Sequence, residues 1–402
     1  MSIFSSLELA PRDPIFGITE AYNADPAPDK VNLGIGVYLD DTGRIPLMQC
    51  VQTVEQQLAS LGRPHGYLSQ VGLPAFTAAT QELVFGVDSP ALQAGRVATF
   101  QGLGGTGALR VGASLLSRIA PQATVLLSDP SWENHESIFS QAGFAIKRYR
   151  YYDYQTRDLD VAAMFDDLSA AAPGTIVVLH ACCHNPTGYD LSRRDWDRVV
   201  EIARIRDLVP FIDFAYQGLA SGVESDRYPV TAFAGSGMPY LVANSFSKTF
   251  GLYGERIGAI HFVAAEDDEA NRVLSQVKTI VRALYSNPPT QGGAIVSTIL
   301  TTPELRALWD EELAAMKDRI KAMRASFRSG LEQAGVQQDL GYITSQAGLF
   351  SYSGLSPDQM LRLRSEFHVY GLDSGRLCVA ALNSKNLDHV ISSVATVMKS
   401  ST

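Results

Sequence analysis

The run NSFSKTFGLYGERIG, residues 244–258, sets one lysine, Lys248, between small hydroxyl residues and a glycine-punctuated stretch that carries an arginine. Strand-like YLVAN leads into it and RIGAIHFV follows, so the lysine falls in a turn between two apolar elements. An ammonium held there loses its water and its pKa falls, and the neutral amine is a nucleophile toward carbonyl carbon. A solvated loop lysine is the competing reading of this stretch taken alone. A second residue sharpens the choice. In PFIDFAYQG, Asp213 lies in or at the end of a strand too apolar for an unpaired carboxylate, so a cation must meet it. An arginine or lysine would serve, and so would the protonated ring nitrogen of a bound cofactor.

Further strand ends carry further parts, and in open α/β sheets ligands gather beyond the carboxyl ends of the strands. After VATFQ, the segment LGGTGALR lets Gly104, Gly105 and Thr106 open a helix whose free amides and dipole suit a phosphate. It lacks the lysine of a Walker loop and does not match the dinucleotide fingerprint. After TVLLSDP, Trp132 of SWENH offers a flat apolar surface or plain core packing. After TIVVLHACC, Asn185 of HNPTG stands in a proline-stiffened turn, able to donate and accept hydrogen bonds. Tyr216, just past Asp213, could reach a phenolic oxygen on the same ring, and Ser245, Ser247 and Arg256 around Lys248 add donors for a phosphate dianion. A Schiff-base lysine, an acid for a ring nitrogen, a stacking aromatic and a phosphate turn are the parts of a pyridoxal phosphate site, in which the ring serves as an electron sink.

The elements that must position these residues are short apolar runs alternating with helical patterns. VATFQ, TVLLSD, FAIKRYRYY, TIVVLHACC, PFIDFAY, YLVANSFS and RIGAIHFV predict strands, several of them continuously apolar as in a sheet covered on both faces. The fold class is α/β. From residue 303 a long charged amphipathic pattern gives way to shorter strands such as LFSYSG and RLCVAAL, which predicts a second, smaller domain. The 402 residues, 46% hydrophobic, suffice for a large core in two or three domains. A net charge of −9 with no basic cluster speaks against nucleic acid as a partner. The start of the chain lacks the charge and apolar pattern of a signal peptide, and no apolar run is long enough to span a membrane. Cys50, Cys182, Cys183 and Cys378 have neither disulfide nor zinc spacing. Read as strand neighbours, Cys182, Cys183 and His184 point to opposite faces and cannot share a metal, so no metal site and a cytoplasmic location are expected.

With those motifs in hand, the chain resembles the class I, fold-type I PLP-dependent aminotransferases of the aspartate and aromatic amino acid subgroup. The resemblance runs from VNLGIGVYLDDTGRIP through GGTGALR, DPSWENHESIF, CCHNPTG, DFAYQG, SFSKTFGLYGERIGA and YSNPP to SGRLCVAAL, in the family order. It implies that Lys248 carries the cofactor, that Asp213 pairs with the ring nitrogen with His135 behind it, and that Tyr216 and Asn185 bond the ring oxygen. Trp132 would stack on the ring, and Gly104, Gly105, Thr106, Ser245, Ser247 and Arg256 would hold the phosphate. Tyr67 of HGYLSQVG would reach in from a partner subunit. Arg376 of SGR would grip the substrate α-carboxylate beside Gly36, and Arg282 of VRALYSNPP would meet a side-chain carboxylate across a dimer interface. Cys378 and Ala381 replace the asparagine and glycine that relatives commonly show behind that arginine.

The resemblance also implies a homodimer with shared active sites, an amino-terminal arm over residues 1–14, a small split α+β domain of residues 15–45 and 315–402, and a large domain with a mainly parallel sheet over 46–314. The reaction implied is ping-pong transamination with 2-oxoglutarate as acceptor. Leu39 and Ile45, apolar where aspartate-restricted relatives tend to be polar or basic, predict use of aromatic amino acids alongside aspartate. The alternatives are an enzyme restricted to dicarboxylic substrates, another pyridoxal phosphate chemistry on the same fold, and a non-catalytic cofactor-binding regulator.

Overall fold

The computed structural model describes residues 2–10, 13–64 and 66–399. Its centre is a seven-stranded sheet. The strands in chain order are β1 (Val97–Leu103), β2 (Thr124–Asp129), β3 (Ala145–Arg150), β4 (Ile176–His180), β5 (Val209–Phe214), β6 (Tyr240–Ser245) and β7 (Ile257–Val263). They lie side by side as β1-β7-β6-β5-β4-β2-β3. Neighbours from β6 to β3 are parallel, whereas β7 runs antiparallel to both β6 and β1. All seven apolar runs picked out in the sequence are therefore strands of one sheet.

Alternation along each strand feeds two cores. Val125, Leu127, Val178, Phe211 and Ala243 face one side, against Val111 and Leu115 of the helix Gly104–Ile119. Leu126, Val177, Leu179, Ile212 and Val242 face the other. With helices on both faces, β4, β6 and β7 are buried along their whole length, which is why their sequences are continuously apolar. Strand β3 lies at the edge, and its exposed Lys147, Arg148 and Arg150 discourage pairing with another chain.

The carboxyl-terminal part is built differently. The charged amphipathic stretch is one helix, Pro303–Gln333, and the expected boundary at residue 315 falls inside it. Beyond it, Phe350–Tyr352 pairs with Arg376–Cys378, and Val31–Asn32 pairs with Val369–Tyr370, so residues near the amino terminus join the carboxyl-terminal elements. The long helix touches both parts. Trp309 donates from its indole to the Thr249 carbonyl at 2.8 Å, and Arg319 donates to the carbonyls of Leu39 and Leu382. Arg324, buried, donates to the carbonyls of Ile343, Gly348 and Phe350. Of the arm over residues 1–14, Met1, Pro11 and Arg12 lie outside the described residues. Ile3, Phe4, Leu7 and Leu9 are exposed, and a helix capped by Asp13 begins at Pro14. No described helix is long and apolar enough to cross a membrane.

One close approach ties the sheet to the turn after β1. Gly258 of β7 sits where an added Cβ would lie 2.6 Å from both the Asn244 carbonyl oxygen and the Gly104 carbonyl carbon. Backbone cannot yield as a side chain can. Gly258→Ala should lower unfolding free energy by about 1–3 kcal/mol, as overpacking does, measured by chemical denaturation. An unchanged midpoint would show that the turn moves freely.

Candidate active site

Topology brings the chemistry to one edge. The carboxyl ends of β1, β2, β4, β5 and β6 open there, and the reversed β7 contributes its amino end, so Arg256 precedes its strand while Asp213 and Ser245 stand at the last residues of theirs and Gly104, Asn185 and Lys248 lie beyond. A cavity of about 380 Å³ lies at this edge, lined by Gly105, Thr106, Trp132, Asn185, Asp213, Tyr216, Ser245, Ser247, Lys248, Arg256, Gly36 and Arg376 among others.

Lys248 is held from behind. Phe246 and Phe250 are both buried and pack edge to face, Phe76 packs on Phe246, and Phe250 stacks on Trp309 at 4.8 Å. These contacts, with the bond from Trp309 to the Thr249 carbonyl, fix the backbone on both sides of the lysine. Its Nζ lies 5.4 Å from the centre of the Tyr216 ring. Burial pushes the Lys248 amine down to about 8, partly offset by the Asp213 carboxylate and reinforced by Arg256 and Arg376.

Asp213 sits at the inner end of β5, 7% exposed. Burial by itself would raise its pKa. The 2.9 Å hydrogen bond from His135, together with the Lys248 ammonium nearby, outweighs that and holds the carboxyl below its ordinary value. An ionised acceptor makes His135 Nε2 the donor, and Ser131 then donates its hydroxyl to His135 Nδ1 at 3.1 Å. Behind this pair stand His180, which sequence reasoning missed, and His184, which it weighed only beside the two cysteines. The His180 ring lies 5.0 Å from that of His135, and both its nitrogens lack hydrogen-bond partners among the described residues. Burial, and then His135, lower it to about 3, so it is neutral. His135, His180 and Asp213 also form a group with ligand atoms within 4.8 Å, a cluster not foreseen in a chain read as having no metal site. The proton shared by His135 and Asp213 occupies the place between them.

The turn after β1 and the start of β7 form an anion cradle. The helix Gly104–Ile119 has no side-chain cap, so its first amides stay available. Gly104 has φ +67°, and a Cβ there would lie 2.5 Å from Arg256 Nη2. Only glycine lets the guanidinium pass. Arg256 donates to Ser247 Oγ at 3.4 Å, and Ser245 donates to Ser247 at 3.2 Å. Among the described residues Arg256 meets no carboxylate, which leaves its charge for a ligand.

Arg376 forms the far wall. It is 1% exposed, donating to Asn185 Oδ1 at 2.9 Å and to the Gly34 carbonyl at 2.8 Å, with its guanidinium 4.2 Å from the centre of Phe350. Its Nε has no hydrogen-bond partner among the described residues. Gly36 lies tight on Phe350, where a Cβ would come within 2.6 Å of the ring.

Other residues singled out in the sequence lie elsewhere in this chain. Tyr67 is 95% exposed and Arg282 is exposed and bonded to Ser286, both outside the cavity wall. Leu39 packs against the core and Ile45 is exposed; neither lines the cavity. The strand reading of residues 181–184 needs correction. Strand β4 ends at His180, and Cys182, Cys183 and His184 occupy the turn beyond, with Cys183 at φ +52° and the Asp190 carboxylate accepting from the amides of Cys183 and His184. Glu133, Asn134, Ser137, Tyr253 and Phe350 line the cavity without having been foreseen. Their types are common, and only the three-dimensional path gathers them.

The arrangement offers a free amine, an ionised acid deep in the sheet, a ring-sized slot beside Trp132 and an unneutralised anion cradle. These donors fit pyridoxal phosphate, with one orphaned cation left over at Arg376. The low pKa of the amine has a direct consequence. In cofactor-free protein the rate at which Lys248 forms a Schiff base with an added aldehyde should rise with pH and level off above about 8. Removing the Asp213 charge in Asp213→Asn takes away a field that raises the Lys248 pKa, so the midpoint should move to lower pH. A midpoint near that of an exposed lysine would refute the buried-amine assignment.

A sequence profile described as "Aminotransferase class I and II" matches residues 28–394. The chain is 50% identical over 398 residues to an aspartate aminotransferase of Pseudomonas aeruginosa, covering 99% of this chain and all of that protein. It is 44% identical over 399 residues to the aromatic-amino-acid aminotransferase of Escherichia coli, covering 98% of this chain and all of that one. The crystal structure of an aromatic-amino-acid aminotransferase from Burkholderia pseudomallei, covalently bound to pyridoxal phosphate, superposes with a TM-score of 0.97 at 52% identity, over 99% of this chain and 100% of that chain. The cavity at the strand ends and these matches lead to one conclusion: the chain belongs to the class I and II aminotransferases, within the subgroup of the aspartate and aromatic-amino-acid enzymes.

Proposed function

We propose that this aminotransferase moves the amino group of an aromatic, and also of a dicarboxylic, L-amino acid to 2-oxoglutarate by a ping-pong reaction on pyridoxal phosphate. The observation that carries the reading is the Lys248 amine, buried with a pKa brought down to about 8, in one cavity with Asp213 on one side and Arg376 on the other. Pyridoxal phosphate, when bound, supplies an aldehyde for the amine and a ring that accepts the electron pair released at the substrate α-carbon. The chain's own residues do the rest. Gly105, Thr106, Ser245, Ser247 and Arg256 would hold its phosphate, and Trp132 would cover its ring. Asp213, kept ionised by His135, would keep the ring nitrogen protonated. Tyr216 and Asn185 would donate to the ring oxygen. Arg376 takes the α-carboxylate in a charge-assisted pair and orients the α-hydrogen toward Lys248. Lys248 Nζ then takes that proton as general base.

The functional unit in this reading is a cytoplasmic homodimer. Support comes from the exposed apolar arm residues, from the fully exposed Tyr67, and from Arg282, all of them usable only if a second copy covers them. Residues 15–45 with 315–402 would move as a small domain on the large one, about the continuous helix Pro303–Gln333. Lys248→Ala should abolish transamination while leaving the fold and non-covalent cofactor uptake in place, read by glutamate-driven changes in cofactor absorbance. Turnover at the wild-type rate would sink the assignment.

The aromatic preference is supported by the ring-bearing wall of Trp132, Phe16 and Phe350 and by relatives named for aromatic amino acids. Leu39 and Ile45 stand outside that wall, so in this reading their influence on the cavity is indirect. The check compares kcat/KM for phenylalanine, tyrosine and aspartate in the wild type and in Leu39→Lys with Ile45→Thr. Aromatic efficiency should fall more than aspartate efficiency. A wild type inert toward aromatics would leave an aspartate aminotransferase restricted to dicarboxylic substrates, the reading favoured by the relatives named for aspartate.

A further inference from the structure

Residues 33–39 carry Gly36 into the cavity wall, and most of their anchors lie in the carboxyl-terminal part. Leu33 donates its amide to the Tyr370 carbonyl at 2.7 Å, and Leu39 donates to the Ala380 carbonyl at 3.0 Å. The Gly34 carbonyl accepts from Arg376 at 2.8 Å, and the Val37 carbonyl accepts from the Cys378 thiol. One anchor points the other way. The Tyr38 amide donates to the phenol oxygen of Tyr253 at 2.9 Å. Among the described residues this is the one hydrogen bond from residues 31–45 to residues 46–314.

Tyr253 stands in the turn between Lys248 and Arg256 and lines the cavity. Its backbone carbonyl accepts from Arg256 at 2.9 Å, so the phenol extends from a point already fixed to the anion cradle. Burial raises the phenol's pKa and keeps it neutral, and a neutral oxygen accepts the amide without drawing the cavity's cations to itself. Tyr38 is itself held, buried with the Arg319 guanidinium 5.5 Å from the centre of its ring. Without the phenol oxygen its amide loses its partner, and the segment must shift or open to water to find another.

We propose that Tyr253 is a positioning residue for the substrate carboxylate. Acting through the Tyr38 amide, it holds the Gly36 backbone against the lysine turn, so that the wall shared by Gly36 and Arg376 keeps a fixed distance from Lys248. The inference rests on the reading of that wall as the α-carboxylate site. Since that carboxylate is common to every substrate, the anchor serves aromatic and dicarboxylic side chains alike.

Tyr253→Phe keeps the ring and the backbone carbonyl and removes only the oxygen. On wild-type and variant holoenzyme, hydrogen–deuterium exchange of the Tyr38 amide is read by mass spectrometry with residue-resolving fragmentation. Calorimetry gives Kd for succinate, a dicarboxylate, and for 3-phenylpropionate, a monocarboxylate with a ring, and initial rates give KM and kcat for aspartate and phenylalanine. Exchange at Tyr38 should speed up by about tenfold while the strands of the sheet keep their protection. Both Kd values and both KM values should rise together by about three- to tenfold, the range of one net hydrogen bond. The fall in kcat should be smaller, as when binding is lost equally from ground and transition states. Unchanged exchange at Tyr38, or faster exchange with unchanged Kd values, overturns the inference. Protection lost across the whole sheet marks a structural role and overturns it too. If the holoenzyme turns over neither amino acid, yet both Kd values rise with Tyr38 exchange, the transamination reading fails and the positioning role of Tyr253 stands.

Discussion

A carboxylate in the middle of a covered sheet stays ionised only if the protein replaces the water it lost, and at Asp213 that replacement is the 2.9 Å hydrogen bond from His135. The rest of the site follows from it. An ionised Asp213 draws positive charge to the strand ends, holding up a lysine that burial would otherwise neutralise further. The tautomer of His135 is set by the same bond, and Ser131 on its other nitrogen fixes the ring. His180, kept neutral beside it, adds no charge that would compete.

The single reversed strand solves a second problem. An anion cradle needs donors from several directions, but a purely parallel sheet delivers only residues that follow strands. By running β7 against its neighbours, the fold brings Arg256, which precedes a strand, to the edge where Gly104 follows its strand and Ser245 ends its own. The glycine at 104, with its positive φ and its guanidinium neighbour, is the cost of packing that arginine against a turn.

Much of this was readable in the chain because strand ends advertise themselves. Lys248, Asp213, Asn185 and Arg256 each stand beside a run apolar enough to mark a covered strand, and polar residues in such places need partners. The seven runs themselves were readable for the same reason. What was hidden depends on residues far apart in sequence. His180 reads as the polar end of an apolar strand, Glu133 as an ordinary first-turn acid, and Trp309 as one aromatic in an amphipathic helix. Nothing local says that the first stands beside His135, that the second faces a cavity, or that the third grips the backbone beside Lys248. The turn at Cys182 and Cys183 was misread because its apolar residues continue the pattern of β4 past the point where Asp190 captures the backbone amides.

The helix Pro303–Gln333 joins two walls of the cavity by three side chains on one rod. Trp309 holds the backbone beside the lysine, Arg319 holds the carbonyls of Leu39 and Leu382, and Arg324 holds the loop beneath the Phe350 ring that supports Arg376. Between Trp309 and Arg324 the rod measures about 22 Å, at roughly 1.5 Å per residue. That length acts as a ruler between the amine and the guanidinium that must address two ends of one small molecule. Insertion or loss of a residue inside this span would turn one grip by about 100° relative to the other. Drift within this span is thus confined to substitution.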